Sequence, residues 1–205
     1  MIRLGLLRHG PTLWTEARRI QGATDLPLSP AGRARVAEWR LPPDRLAARW
    51  VTSPLARCRE TAAILAERHG RREPAAIEPR LAEMSHGAWE GRTLAELRAE
   101  FGAVMAANEA KGLDYRAPGG ESPRELQARL LPWLAEIAEA GVDVLAVAHK
   151  GVIRAIYALA SGWDMTGKPP VRLVEEALHG FRVERGGAIA VERLNQALAG
   201  RAPVA

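Results

Sequence analysis

Two short apolar runs constrain the fold of this 205-residue chain most strongly. A turn that contains a histidine follows the first run, and a histidine directly follows the second. Residues 2–7 are apolar apart from one arginine and one glycine, and they lead into a turn-like Arg-His-Gly-Pro sequence. Residues 142–148 are apolar except for Asp143 and end at His149. Runs of this length are typical of buried strands, and one that is apolar on both faces is typical of the centre of a parallel sheet. The pattern therefore predicts two buried strands, the second of them central.

Helix-start signals alternate with these strands and with weaker strand-like segments. Ser-Pro pairs at 29–30 and 53–54 each combine an N-cap residue with a proline at the first helical position. Capping boxes begin at Thr93 and Ser122, and residues 180–194 have the pattern of a β-hairpin. Alternating strands and helices predict an α/β layer fold with a mostly parallel sheet, and the late hairpin predicts one mixed edge.

The sequence predicts a single domain at residues 1–198. It contains no repeat, no low-complexity segment and no linker long enough to divide the chain. Helical material at about 84–120 is expected to be an insertion over the carboxyl edge of the sheet, where open α/β folds bind their ligands. Residues 199–205 are expected to form a loose tail.

Composition argues against several classes of protein. Apolar residues make up 47% of the chain and charged residues 26%, as in ordinary globular domains. The longest apolar stretches have about six residues, far fewer than the ~20 of a membrane-spanning helix, and the N-terminus lacks the apolar region of a secretory signal. The single cysteine, Cys58, excludes an internal disulfide and a multi-cysteine zinc site. We therefore expect a cytoplasmic enzyme or binding domain with no membrane partner.

Positive charge is concentrated in the first third of the chain. Residues 1–72 hold 14 arginines against 6 acidic residues, whereas residues 73–205 hold 15 basic and 18 acidic residues. The resulting net charges, +8 and −3, add up to the +5 of the whole chain. The first third is therefore the expected location of an anionic ligand.

Basic side chains follow three of the predicted strands. Arg8 and His9 follow the first strand, Arg57 lies in the first turn of the helix after the second, and His149 ends the apolar run at 142–148. If these strands are parallel, the side chains share one edge of the sheet, where helix N-termini add positive potential. The set predicts a phosphate-sized anion site.

A carboxylate close to this set indicates a reaction rather than binding alone. Glu83, in the loop before the insertion, would repel a bound anion, but it could protonate the leaving oxygen in a phosphoryl transfer. A histidine can be a covalent nucleophile when a neighbouring group holds its other ring nitrogen. His9 is the better candidate, because the adjacent Gly10 would let a phosphate approach closely.

Five ordered blocks of sequence resemble the histidine phosphatase superfamily, which includes cofactor-dependent phosphoglycerate mutase and its phosphatase relatives. The blocks are LRHGPT at 7–12 with the segment 21–32 after it, SPLARCRETA at 53–62, EMSHGAWEG at 83–91, GES at 120–122 and VAH at 147–149. An Arg-His-Gly sequence alone would be a weak signal, but five blocks in the right order are a strong one. The resemblance implies a phosphoglycerate mutase-like three-layer sandwich, with helices on both faces of the sheet.

The resemblance also implies a role for each predicted site residue, with no cofactor and no metal. His9 would carry the phosphoryl group, and Glu83 would donate a proton to the leaving alcohol and then take one from water. Arg8, Arg57 and His149 would bind the phosphate oxygens and the charge of the transition state. The substrate-binding positions would be Gly10, Thr15, Gln21 and Gly22.

Three positions depart from the family pattern. Pro11 and Lys150 stand where the family usually has a glutamate and a glycine. Thr15 stands in place of a common asparagine, and its hydroxyl could replace that phosphate contact. Lys150 can reach the mouth of the pocket or extend into solvent, and the sequence leaves both open.

Hydrolysis is the favoured function among three. Phosphoglycerate mutases have a longer insertion with an Arg-Arg pair, whereas here 37 residues without such a pair separate Glu83 from Glu121. The sequence thus predicts a metal-independent hydrolase of a small phosphorylated metabolite, with mutase-type phosphoryl transfer as the alternative. Non-enzymatic binding of a polyanion is the third function, and no nucleic-acid motif supports it. The sequence does not identify the phosphomonoester, and a homodimer stays open.

Overall fold

The computed structural model describes residues 1–198, so the predicted tail at 199–205 lies outside the described residues. Within residues 1–198, six strands form one sheet in the order β3-β2-β4-β1-β5-β6. The strands are β1 (Ile2–Arg8), β2 (Arg49–Thr52), β3 (Ala76–Ile77), β4 (Val144–Ala148), β5 (Ala177–Val183) and β6 (Ile189–Ala197). β4 pairs in parallel with β1 and β2, and β2 with β3, whereas the pairs β1–β5 and β5–β6 are antiparallel. The predicted mostly parallel sheet with one antiparallel edge is confirmed.

Six α-helices lie in the same described range. They are α1 (Leu13–Glu16), α2 (Pro30–Glu38), α3 (Ala56–Arg68), α4 (Leu94–Glu109), α5 (Pro123–Ala140) and α6 (Lys150–Ser161). The hydroxyl of Ser29 caps α2, and the predicted capping boxes at Thr93 and Ser122 begin α4 and α5. Among the helices at 1–198, none has both the length and the apolar character needed to cross a membrane.

The start of α3 differs from the prediction. The Ser-Pro pair at 53–54 predicts a helix that begins at the proline, but α3 begins at Ala56 and has no side-chain cap. The Ser53 hydroxyl is fully buried and lies 2.7 Å from a ring nitrogen of His149. The serine is therefore engaged by a residue from another strand end, and it does not cap the helix.

Apolar side chains alternate between the two faces of the central strand. Val144, Ala146 and Ala148 of β4 belong to a core formed with α5 and α6, whereas Leu145 belongs to a second core formed with α2 and α3. Side chains of a strand point alternately to opposite faces, so β4 must be apolar on both. The predicted three-layer sandwich, with helices on both faces, is confirmed.

The segment between β3 and α5 forms a smaller apolar cluster beside the sheet. Trp89 and Met105 belong to this cluster, and Gly102, with a φ of 45°, kinks α4 at its middle. Tyr115 lines the same cavity as Arg8 at the carboxyl end of β1. The segment therefore lies beside the carboxyl edge of the sheet, while the exact limits of the domain and of the insertion stay a prediction.

Candidate active site

The carboxyl ends of β1, β2 and β4 meet at a cavity of about 1110 Å³. Arg8 ends β1, His149 follows β4, and Arg57 lies in the first turn of α3, directly after β2. Arg8, His9, Arg57 and Glu83 line the cavity, and the ring centroid of His149 is 5.2 Å from that of His9. The structure thus brings together all five side chains that the sequence placed in the reaction.

One ring nitrogen of His9 is held by the next residue. Nδ1 lies 2.7 Å from the carbonyl oxygen of Gly10, and because a carbonyl can only accept, Nδ1 carries the proton. Burial lowers the pKa of His9 well below its usual value, and the charges of Arg8 and Arg57 lower it further. The ring is therefore neutral at physiological pH, and its lone pair is on Nε2, the nitrogen that lacks a hydrogen-bond partner within residues 1–198.

His149 is packed between the ends of β4 and β2. Its Nε2 lies 2.7 Å from the hydroxyl of Ser53 and 3.4 Å from the sulfur of Cys58. Burial lowers the pKa of His149 well below its usual value, and the neighbouring positive charges act in the same direction. Cys58 is also fully buried, its thiol donates to the carbonyl of Ala148, and burial raises its pKa. The thiol is a packing group for His149.

Two arginines of the cavity wall have buried hydrogen-bond donors that lack an acceptor among the described residues. Nη1 and Nη2 of Arg57 donate to the backbone carbonyls of Thr24 and Gly22, each at 2.7 Å, which fixes the guanidinium. The Nε–H groups of Arg57 and Arg8 are buried and have no acceptor among the described residues. Buried donors are nearly always hydrogen-bonded in folded proteins, and two such guanidinium groups in one cavity wall favour an anionic ligand.

Glu83 is held in the cavity wall by the N-terminus of α6. Its Oε2 accepts a hydrogen bond from the N–H of Gly151, and its Oε1 accepts one from Met84, both at 2.9 Å. A Cβ atom at position 151 would lie 2.4 Å from Oε1 of Glu83. The absence of a side chain at 151 therefore allows the carboxylate to reach the first turn of the helix.

The four predicted substrate-binding residues differ in position. Thr15, Gln21 and Gly22 line the cavity, and the amide of Gln21 donates to the Thr15 hydroxyl at 2.9 Å. Gly10 is not in the cavity wall, and a Cβ atom there would lie 2.3 Å from Cγ2 of Val36 in α2. Close packing against α2 is thus a second reason for a glycine at this position, and the substrate-binding role of all four stays a prediction.

Glu175 lies at the site, although no sequence pattern predicts it there. It lies in the segment between α6 and β5, where its carboxylate forms ion pairs with Arg8 and, at 2.7 Å, with Lys150. Lys150, for which the sequence left two positions open, therefore lies at the cavity wall. Glu175 is 167 positions from Arg8 along the chain, and no sequence spacing predicts a contact between a strand end and a distant irregular segment.

Cationic side chains outnumber carboxylates in the wall of the cavity. Among the described residues, eight arginine and lysine side chains and three glutamates line it. Four of the eight cations come from residues 1–72, and the others come from later segments. The excess of positive charge favours an anionic ligand. Within residues 1–198, no group of three or more His, Cys, Asp or Glu side chains is arranged to hold a metal ion.

Known proteins resemble this chain over most of its length. The family model described as histidine phosphatase superfamily (branch 1) matches residues 4–196. A glucosyl-3-phosphoglycerate phosphatase from Mycolicibacterium vanbaalenii is 37% identical over 179 residues, which cover 82% of this chain and 77% of the relative. A 2,3-bisphosphoglycerate-dependent phosphoglycerate mutase 2 from Gloeobacter violaceus is 34% identical over 165 residues, or 76% and 74% of the two chains.

The fold agrees with that of a solved relative. The structure of a mycobacterial glucosyl-3-phosphoglycerate phosphatase with VO3 superposes with a TM-score of 0.79 at 27% identity, covering 96% of this chain and 100% of the other. The sequence match, the shared fold and the five site residues at one edge of the sheet agree with one another. This chain belongs to the histidine phosphatase superfamily, branch 1.

Proposed function

We propose that this enzyme hydrolyses a small phosphorylated metabolite through a phosphohistidine on His9. The observation that carries the proposal is the environment of the neutral His9 ring: its Nε2 has no hydrogen-bond partner among the described residues, and Arg8 and Arg57 line the same cavity as His9. A nucleophile among fixed positive charges is suited to attack on phosphorus, because these charges stabilise the negative charge of the phosphoryl group in the transition state.

In the first step, Nε2 of His9 attacks the phosphorus atom. A bond forms between nitrogen and phosphorus, the ester bond between phosphorus and oxygen breaks, and Glu83 gives a proton to the departing alkoxide. Arg8 and Arg57 bind the equatorial oxygens, and the nearby His149 adds a further hydrogen-bond donor once the incoming negative charge favours its protonated form.

In the second step, water releases the phosphate. Glu83, now a carboxylate, takes a proton from the water molecule, whose oxygen attacks the phosphorus while the bond to His9 breaks. Inorganic phosphate leaves and the neutral imidazole is restored. Each group returns to its starting protonation state, so the cycle is balanced with the residues of this chain and one water.

Hydrolysis fits this chain better than mutase-type transfer. A mutase must keep water out and hold a second phosphorylated position, and the segment between Glu83 and Glu121 has no Arg-Arg pair to do so. Relatives named as phosphatases match both in sequence and in structure. Non-enzymatic binding of a polyanion is weaker still, because Glu83 places a carboxylate beside the anion site.

The proposal is tested by trapping the intermediate. The enzyme is mixed with radiolabelled 4-nitrophenyl phosphate in the presence of a chelator and quenched in alkali, and protein-bound label that is lost in acid is counted. We expect such label on the wild-type chain. His9→Ala should abolish it and lower kcat by about a thousandfold or more. Glu83→Gln should retain it, because nitrophenolate leaves without a proton and water attack then becomes slow.

The matched control is His69→Ala, which removes a histidine at the end of α3, outside the cavity wall. This variant should form the labelled intermediate like the wild type. Normal turnover of His9→Ala would show that the nucleophile is another residue, and a requirement for added magnesium would contradict a mechanism built on arginines. The cytoplasmic location and the homodimer stay predictions.

A further inference from the structure

Glu90 is a carboxylate close to the active site to which the mechanism assigns no task. It belongs to the sequence block at 83–91, its side chain is half-buried, and it does not line the cavity. Among the described residues, no arginine or lysine forms an ion pair with it. A carboxylate that is partly removed from water without a counter-ion needs several hydrogen bonds instead. The donors of these hydrogen bonds therefore indicate what Glu90 does.

Two separate loops supply the donors. Oε1 of Glu90 accepts hydrogen bonds from the N–H groups of Ala23 and His86, each at 2.9 Å. Oε2 accepts one from the N–H of Thr24 at 2.9 Å and one from the hydroxyl of the same residue. Burial raises the pKa of Glu90, but these hydrogen bonds outweigh burial and lower the pKa below its usual value. Glu90 thus joins the loop that follows α1 to the loop that carries the proposed acid.

One peptide group links Glu90 directly to Arg57. Its N–H is that of Ala23 and donates to Glu90. Its carbonyl is that of Gly22 and accepts from Nη2 of Arg57 at 2.7 Å. A peptide group is planar and trans, so its N–H and its carbonyl point in opposite directions, and fixing one of them fixes the other. The carboxylate also polarises the peptide group, which makes the carbonyl a stronger acceptor.

The second carbonyl that binds Arg57 comes from the same segment. Thr24 donates its N–H to Glu90, and its carbonyl accepts from Nη1 of Arg57 at 2.7 Å. Gly22 permits the close approach of the carboxylate, because it has a φ of 52° and a Cβ atom there would lie 2.1 Å from Oε1 of Glu90. Both carbonyls that orient the guanidinium thus belong to residues 22–24, the segment that Glu90 holds.

We propose that Glu90 is a positioning residue for phosphate binding: it holds residues 22–24 so that their two carbonyls orient the guanidinium of Arg57 toward the phosphoryl group. This inference rests on the proposed function, since it uses Arg57 as a ligand of the phosphoryl oxygens. Glu90 itself does not contact the phosphate, because it lies outside the cavity wall.

The test measures the binding of orthovanadate, which has the shape and charge of phosphate, to the purified chain by calorimetry. In Glu90→Gln, one carboxylate oxygen becomes an amide nitrogen that cannot accept a hydrogen bond, so Ala23 or Thr24 loses its acceptor. We expect the dissociation constant to rise by about tenfold. Removing a negative charge near an anion site would by itself lower this constant, so the sign of the change identifies positioning.

A second measurement separates an effect through Arg57 from a general loosening of the site. Arg57→Ala should raise the dissociation constant by at least about thirtyfold. In that background Glu90→Gln should change the constant by less than about twofold, because the group through which Glu90 acts is absent. The same change in both backgrounds would overturn the inference, as would an Arg57→Ala chain that binds orthovanadate as tightly as the wild type.

Glu60→Gln is the matched control for the loss of charge. Glu60 lies one turn after Arg57 on α3, pairs with Arg33 at 2.8 Å and does not line the cavity. This variant should bind orthovanadate as tightly as the wild type or slightly more tightly.

Thr24→Val keeps the inference testable if Glu90→Gln does not fold, because it removes only the hydroxyl that donates to Glu90. Its dissociation constant should rise by about threefold. A constant that stays at the wild-type value or falls, in Glu90→Gln or in the variant that replaces it, would overturn the inference. Trapping of the phosphohistidine decides the proposed function separately, since it does not depend on these binding constants.

Discussion

The two ring nitrogens of His9 have separate tasks in the proposed reaction. The carbonyl of Gly10 holds Nδ1–H and so fixes both the tautomer and the orientation of the ring. A protonated imidazole has no lone pair, so burial and the charges of Arg8 and Arg57, which lower the pKa of His9, keep the nucleophile ready at neutral pH. The same guanidinium groups that prevent protonation then attract the phosphate.

Glu175 should weaken phosphate binding in the wild-type enzyme. Its carboxylate occupies Arg8 and Lys150, and an incoming phosphate must compete with this negative charge. We expect Glu175→Gln to lower the inhibition constant of inorganic phosphate by about three- to tenfold, measured with 4-nitrophenyl phosphate as substrate.

Glu176→Gln is the control for this change, since it removes the same charge one residue further along the chain. Glu176 forms an ion pair with Arg35, which does not line the cavity. An inhibition constant that rises in Glu175→Gln would mean that the carboxylate orients Arg8 for phosphate, and competition would then be the wrong description.

The start of α6 holds Glu83, the proposed acid, in position. The helix begins directly after His149 at the end of β4, and its first turn supplies the N–H that holds Glu83. One strand end and one helix start thus position both a predicted phosphate ligand, His149, and the proposed proton donor, Glu83. The two residues lie close together because parallel strands lead into helices at a single edge of the sheet.

Gly151→Ala tests this arrangement. The added Cβ would lie 2.4 Å from the Glu83 carboxylate and must displace it. We expect kcat for an alkyl ester such as glycerol 3-phosphate, which needs an acid, to fall by about ten- to a hundredfold, and kcat for 4-nitrophenyl phosphate to fall much less.

The unfolding temperature separates this effect from a loss of structure. Alanine is a better helix former than glycine, so we expect the variant to unfold at a temperature no lower than that of the wild type. Equal loss of kcat on the alkyl and the aryl ester would contradict the role of Glu83 as the acid.

Helix starts show how far local sequence decides an element. The capping boxes at Thr93 and Ser122 are predictable, because every partner lies within three residues. The start at Ser53 is not, because the competing partner, His149, is 96 positions away. An N-cap residue predicts a helix start correctly only when the tertiary structure offers its side chain no more favourable contact.

The stability of the whole molecule should fall on mild acidification. His9, His149 and His179 are buried, and burial lowers the pKa of each below its usual value. Below about pH 6.5 the unfolded chain therefore binds more protons than the folded chain, so stability is full above that pH and is lost as the pH falls. Each histidine contributes a slope of at most about 1.4 kcal/mol per pH unit.

Urea denaturation measures this dependence. We expect the free energy of unfolding to be lower by about 2–4 kcal/mol at about pH 5.5 than at about pH 7.5. Between about pH 7 and pH 8 the histidines change their charge little in both the folded and the unfolded chain, so the free energy of unfolding should be nearly constant. A free energy that stays level or rises on acidification would show that these rings are already protonated in the folded chain.

The sequence by itself determined the α/β layers and the alternation of strands with helices, and it predicted five site residues, because these depend on periodicity and on short motifs at strand ends. Only the tertiary structure decided that Glu175 pairs with Arg8, that Ser53 holds His149, and that Glu90 accepts hydrogen bonds from the segment that binds Arg57. Each of these contacts joins segments far apart in the chain, or depends on which groups lie nearby, and local sequence patterns carry no information about either.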